Sequence, residues 1–374
     1  MKYIINICIP LLLLSILPVP ATGADAPSHT EAGYPFIKNF SPREYGAGPS
    51  NWCVLQDKRG IMYFGNSEGI LEYDGLAWRL IDVPKPSFVR SLSMDDKGRI
   101  YVAAVAELGY LEPDSNGTMV YRSLLTRLDE QHRKIGEVWD VLATPEGIFF
   151  KTRDYLLRLR DDQLKIFEVK GTFRIYRIGN DIYVRNDGVG LMKITGDSLR
   201  LIPGGGRFAK TGVYDMLPYP GPGNEQNQKI LITTAADGLF LFDGKTVNRF
   251  NTAVDSLLID SQLYHTALLA NSSYAIATQR GGLIIINRNG DLLRILEESS
   301  GLKSQIIYFV YPDREGGLWL ALSRGLARVE FPSPLSVFGE NLGIKSTINT
   351  IYRYGDTLYI GDDFGISYLS ESSV

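Results

Sequence analysis

Between Asn51 and Ile81 the chain reads NWCVLQDKRGIMYFGNSEGILEYDGLAWRLI, with turns at Asp57-Lys-Arg-Gly60, Asn66-Ser-Glu-Gly69 and Asp74-Gly75. Short alternating apolar and polar runs cut by Gly and Asp turns are antiparallel strands, so this stretch predicts a small meander. A meander this short has two apolar faces and cannot bury them alone; it needs copies of itself stacked alongside. The copies are present. Asp57-x-x-Gly60-x-x-Tyr63 returns as Asp95-x-x-Gly98-x-x-Tyr101 and Asp313-x-x-Gly316-x-x-Trp319, and more loosely as Thr144-x-x-Gly147-x-x-Phe150. The second half of the unit restarts at Gly69, Gly109, Gly190, Gly238, Gly282, Gly325 and Gly365, with Tyr155 in the equivalent place. The successive steps are 40, 46, 35, 48, 44, 43 and 40 residues. That period belongs to four-stranded propeller blades. The expected fold is all-β: a seven-bladed β-propeller of four-stranded blades, plus a partial eighth repeat.

The pattern D-x-x-G-x-[ILM]-[WY]-x-G followed by G-[LI]-x-x-[YF]-D-G resembles the two-component regulator propeller repeat, and the resemblance covers nearly all of the chain after its first residues. It implies an exported, non-catalytic, ligand-binding sensor propeller of a bacterial signal-transduction protein, periplasmic or otherwise extracytoplasmic. In that family a second propeller, a small β-sandwich, a membrane span and a signalling module usually follow. Either the chain stops before its membrane span and output module, with the eighth repeat starting a second propeller, or the eighth repeat joins the ring as an extra blade; a second propeller or a homodimer partner is the expected protein partner.

The expected organisation is a signal peptide over 1–24, a flexible N-terminus over 25–34, the propeller over 35–338, and an incomplete eighth repeat over 339–374. Met1-Lys2 and the apolar run Ile4 to Ile16 read as the first two regions of an export signal, with small residues at Ala21, Gly23, Ala24 and Ala26 for cleavage. The run is shorter than the roughly 18 to 20 residues a spanning helix needs. Pro35 to Phe40 is a lone strand that corresponds to Pro334 to Phe338, the segment before the last repeat. An outer strand displaced to the N-terminus predicts ring closure by pairing with the blade that contains Trp319. Leu125 to Lys134 is a charged insertion, and Pro218 to Gln228 is a loop insertion within blade five.

Several function classes find no support. Lysines and arginines are scattered and the net charge is -3, which argues against a nucleic-acid partner. Cys8 lies in the leader, so Cys53 has no intramolecular partner and reads as an inert core thiol. His29, His132 and His265 are far apart, with no Cys or carboxylate at ligand spacing, so neither a metal nor a cofactor is expected. Gly204-Gly-Gly206-Arg207 lacks the Lys-Ser/Thr and the helix of a phosphate loop. Asp57, Asp95 and Asp313 read as turn caps rather than acids or calcium ligands. No catalytic residue is assigned. A propeller enzyme acting on polysaccharide, which needs a carboxylate pair or a His/Tyr site, and a periplasmic protein-binding scaffold stay open as alternatives.

The residues that vary between copies carry the functional expectation. Turns between second and third strands emerge on the face where each first strand starts, around the channel mouth. They supply Arg153, Arg185, Asp187, Gln279, Arg280 and Arg324, with Trp52, Trp139 and Tyr308 near the starts of first strands. Guanidinium and carboxamide groups beside rings suit an oligosaccharide or a small anionic ligand, because rings stack on apolar faces while polar groups fix orientation.

Overall fold

The side chain of Asp57 explains why the first turn repeats. Its Oδ1 accepts the N–H groups of Arg59 (2.8 Å) and Ile61 (3.0 Å), while Gly60 takes the left-handed φ of 95° that closes the turn. Asp95 accepts from Lys97 and Arg99, both at 2.9 Å, and Asp313 from Gly317 at 2.6 Å. The three aspartates cap turns, as their spacing predicts. The computed structural model describes residues 33–368 except 85–87, 131, 162, 172, 220–228 and 356. The leader, residues 25–32 with His29, and most of the loop insertion after Pro218 lie outside the described residues.

Seven four-stranded antiparallel sheets form the blades. Their inner strands are Asn51–Gln56, Val89–Met94, Val138–Thr144, Ile175–Ile178, Val213–Tyr219, Leu263–Leu268 and Ile307–Pro312, in blades 1 to 7 respectively. Each inner strand lies beside the next, and that of blade 7 beside that of blade 1, so the ring is closed.

Closure uses the displaced strand. Ile37–Phe40 pairs antiparallel with the third strand of blade 7, in the register Ile37 to Val329 through Phe40 to Leu326, in the same sheet as Trp319. Trp319 is 3% exposed; it stacks on Phe40 at 5.2 Å and meets Phe64 of blade 1 at 5.1 Å. Polar groups fasten the same seam. Asn51 Nδ2 donates to the Gly325 carbonyl (2.9 Å), and the Gly325 N–H donates to the Pro49 carbonyl (2.8 Å).

The core lies between neighbouring blades rather than within one sheet. Tyr63, fully buried, packs with Ile100 and Val102 of blade 2. Tyr101 is buried against Val141 and Phe150 of blade 3. Close approach sets one glycine: a Cβ on Gly65 would stand 2.5 Å from Cys53 Sγ and 2.6 Å from the Val89 carbonyl oxygen. Cys53 itself is buried and free, and burial pushes its thiol up to about 12, so it stays protonated and inert. In the charged insertion, Leu125–Arg127 forms a single 3-10 turn.

The incomplete repeat belongs to a second compact unit. Ile348–Tyr354, Thr357–Asp362 and Gly365–Tyr368 make a three-stranded antiparallel sheet with Ile351, Tyr352, Phe364 and Ile366 exposed. No helix among the described residues is long and apolar enough to cross a membrane.

Candidate functional site

Six of the seven inner strands carry an irregularity at the same place. Pairing with the second strand slips at Asn51/Cys53, Val89/Ser91, Val138/Asp140, Val213/Asp215, Leu263/His265 and Ile307/Phe309. The residue skipped each time is Trp52, Arg90, Trp139, Tyr214, Tyr264 or Tyr308. In blade 4 pairing starts at Ile175 with Val184, which places Phe173 at the equivalent position. A bulge leaves one residue without a partner and re-aims its side chain. The six skipped residues and Phe173, six of the seven aromatic, occupy equivalent positions on the seven inner strands.

Their contacts form a continuous arc. Phe173 meets Trp139 at 4.6 Å, and Arg90 lies over Trp139 at 4.7 Å and over Trp52 at 3.8 Å. Trp52 stacks on Tyr308 at 4.2 Å, Tyr308 meets Tyr264 at 5.5 Å, and Tyr264 meets Tyr214 at 5.5 Å. Arg90 is thus a cation set among rings. Glu137 Oε1 takes its Nε and Nη2 at 2.6 and 2.5 Å.

The residues that follow these seven form a second layer, Cys53, Ser91, Asp140, Arg174, Asp215, His265 and Phe309, five of them polar or charged. Ser91 Oγ donates to Asp140 Oδ1 at 2.6 Å, and the Ile175 N–H donates to Asp140 Oδ2 at 2.8 Å. The Thr266 N–H donates to Asp215 Oδ2 at 2.5 Å. Burial pushes the Asp215 carboxyl up to about 7, opposed by the Arg174 charge and the Thr266 N–H. Burial also raises Asp140, again opposed by Arg174. His265 stacks on Phe309 at 3.7 Å and accepts the Val310 N–H at 3.3 Å. Burial holds it well below the usual imidazole range, so it is neutral. Between the layers is a cavity of about 30 Å³, lined by Trp52, Arg90, Trp139, Asp140 and Arg174 among others.

The six residues expected from the turns fall into two groups. Arg185 is 5% exposed and committed to the fold: its guanidinium donates to the Phe208 carbonyl (2.7 Å), the Ala209 carbonyl (2.8 Å) and Asp187 (2.6 Å). It occupies the second-strand position where blade 3 has Lys151, also buried, whose ammonium donates to the Val169 carbonyl at 2.7 Å. Both are buried basic side chains that cap carbonyls near the end of the second strand, and burial lowers Lys151 to about 7. The exposed charges are Arg153, Asp187, Arg280 and Arg324, with Gln279 half-buried. Arg153, Arg280 and Arg324 have no side-chain partner among the described residues. The structure does bring Trp52, Trp139 and Tyr308 together. Sequence reasoning missed Arg90, Phe173, Tyr214 and Tyr264. The signal was an aromatic or Arg directly after the first apolar residue of inner strands, as in Val89-Arg90, Val213-Tyr214 and Leu263-Tyr264.

Another concavity lies on the opposite face. It is a groove of about 850 Å³ between blades 2 and 3, lined by Asp95, Lys97, Arg99, Tyr110, Arg160 and Asp161 among others. Arg99 lies over Tyr110 at 4.7 Å, and Asp95 caps its own turn. Only two blades shape that groove, whereas all seven converge on the mouth.

Similar solved structures are propellers. The extracellular domain of the putative one component system BT4673 from B. thetaiotaomicron is 17% identical, with a TM-score of 0.60 over 90% of this chain and 46% of its own. The extracellular domain of the putative hybrid two component system BT3049 from the same organism is 15% identical, with a TM-score of 0.64 over 90% and 49%. Virginiamycin B lyase from Staphylococcus aureus is 11% identical, with a TM-score of 0.58 over 78% and 97%. The chain spans about half the length of the two extracellular domains. No protein-family model and no curated protein matches it. The likeness shows the propeller fold, and that fold carries both extracellular domains of putative one- and two-component systems and a lyase.

Proposed function

We propose that the chain is a ligand-binding sensor propeller of a bacterial signal-transduction protein, working outside the cytoplasm and without catalysing a reaction, and that its ligand sits at the channel mouth. The arc of six rings and Arg90 carries this reading. Ring faces offer flat apolar contact at little entropic cost, and a single cation among them fixes orientation, which is the chemistry of a binding pocket. Two extracellular domains of putative one- and two-component systems share the fold, and the repeat motif resembles that of such sensors. Signal output and membrane attachment then belong to segments beyond this propeller.

The test is to titrate the purified chain with oligosaccharides and small anions, following tryptophan fluorescence and analysing the mixture for product. A ligand that binds unchanged, and binds at least about 10-fold more weakly to Trp52→Ala and Tyr308→Ala, supports the reading. Conversion of the ligand, or binding indifferent to both substitutions, defeats it.

A further inference from the structure

Two hydrogen-bond donors at the mouth have nothing to donate to. Arg90 Nη1 and Trp52 Nε1 are buried and without a partner among the described residues. Both residues line the same cavity of about 30 Å³ beneath the arc. A buried unpaired donor is destabilising, the more so on a charged group, so a pair of them in one cavity marks a place for an acceptor.

The neighbouring protein oxygens are already in use. Glu137 is engaged with the other edge of Arg90. Asp140 Oδ1 accepts from Ser91 Oγ (2.6 Å) and the Val141 N–H (3.0 Å), and Oδ2 from the Ile175 N–H (2.8 Å). The cavity wall holds two guanidiniums, Arg90 and Arg174, against the single carboxylate of Asp140, with Glu137 and Asp215 behind them. A space of this size accommodates one or two heavy atoms. A water can hold it in the free protein and be displaced.

Resting on the reading of the mouth as a ligand site, we propose that this cavity receives the two carboxylate oxygens of an organic anion, with Arg90 Nη1 and Trp52 Nε1 as donors and the arc covering the flat body of the ligand. The arrangement explains why one blade of seven has Arg where the others have a ring. Arg90 is held in plane by Trp52 and Trp139 and is tied by Glu137 along one edge, so its free edge is fixed before any ligand arrives. A pre-set guanidinium edge beside an indole N–H matches a planar two-oxygen acceptor better than a hydroxyl.

The experiment compares matched pairs by calorimetry on the whole chain: benzoate with benzamide, and galacturonate with galactose. Wild type, Trp52→Phe, Arg90→Gln and Trp52→Ala are used, each checked for an unchanged melting temperature. The acid should bind wild type about 10- to 100-fold more tightly than its neutral partner in at least one pair, the range for a charge-assisted hydrogen bond. Trp52→Phe keeps a ring and removes the N–H. It should weaken the acid about 5- to 10-fold and leave the neutral compound unchanged. Arg90→Gln should erase the preference; if it does not fold, the Trp52→Phe comparison decides. Equal affinity for acid and neutral partner, with both lost in Trp52→Ala, overturns the carboxylate inference and leaves the mouth as a site. Binding of no member of either pair overturns the inference and counts against the site as well.

Discussion

Replacing Trp319 by Ala tests whether the ring is held shut at the seam between blades 7 and 1. The indole is 3% exposed and lies among Phe40, Phe64 and Tyr73, at 5.2, 5.1 and 6.1 Å. A tryptophan buries on the order of 200 Å², which at about 25 cal/mol per Å² is about 5 kcal/mol. Part of that returns as the cavity walls relax, leaving an expected loss of about 3 to 5 kcal/mol. Urea denaturation followed by circular dichroism measures it. A second step isolates the closing strand: in a double-mutant cycle, Phe40→Ala and Trp319→Ala should couple by about 0.5 to 1.5 kcal/mol, the range for a stacked pair. A loss below about 1 kcal/mol, or additive effects of the two substitutions, would mean that the stacked contact does not hold the seam.

Asp215→Asn should remove a pH dependence. The folded carboxyl is raised to about 7 against about 3.9 when unfolded, so the native state holds the proton more tightly. Wild-type stability from this group is therefore present below about pH 4 and is lost as pH rises through about 7, by ~4 kcal/mol at most. His265 contributes the opposite slope, since its folded value lies below the unfolded one and stability is lost as pH falls. The difference between wild-type and Asp215→Asn denaturation curves isolates the carboxyl, and parallel pH profiles would refute its burial as an acid. Arg185→Ala should cost about 2 to 3 kcal/mol, because it strips donors from the Phe208 and Ala209 carbonyls. It should leave any mouth ligand within about twofold in affinity; a clean loss of binding in a stable variant would return Arg185 to the site.

The architecture was legible because each level of the sequence repeats it. Asp57, Asp95 and Asp313 fall before the same glycine, so turn chemistry, strand length and blade period agree. The closing strand was legible for the same reason, as a unit missing from one end and present at the other. The site was only half legible. Trp52, Trp139 and Tyr308 stood near the right strand ends, but their convergence depends on a bulge, and a bulge is one extra residue that a period-2 reading passes over. Arg185 misled because a charged residue beside a turn reads as solvent-exposed. Neither its register position nor the carbonyls it caps, more than twenty residues away, can be seen in local pattern.

The pairing of Ile37–Phe40 with the third strand of blade 7 also sets a timetable. Across this joint Asn51 and Gly325 are 274 residues apart, so at about 5 to 20 residues per second the early strand waits on the order of tens of seconds for its partner to be synthesised. Meanwhile each newly made blade can settle on the one before it, while Phe40, Phe64 and Trp78 face no finished neighbour on the seam side. A contact of such long range forms after the local ones. Until that last joint is made, the partly synthesised chain keeps free strand edges at both ends of the open ring, where a protease or a second unfinished chain can meet them.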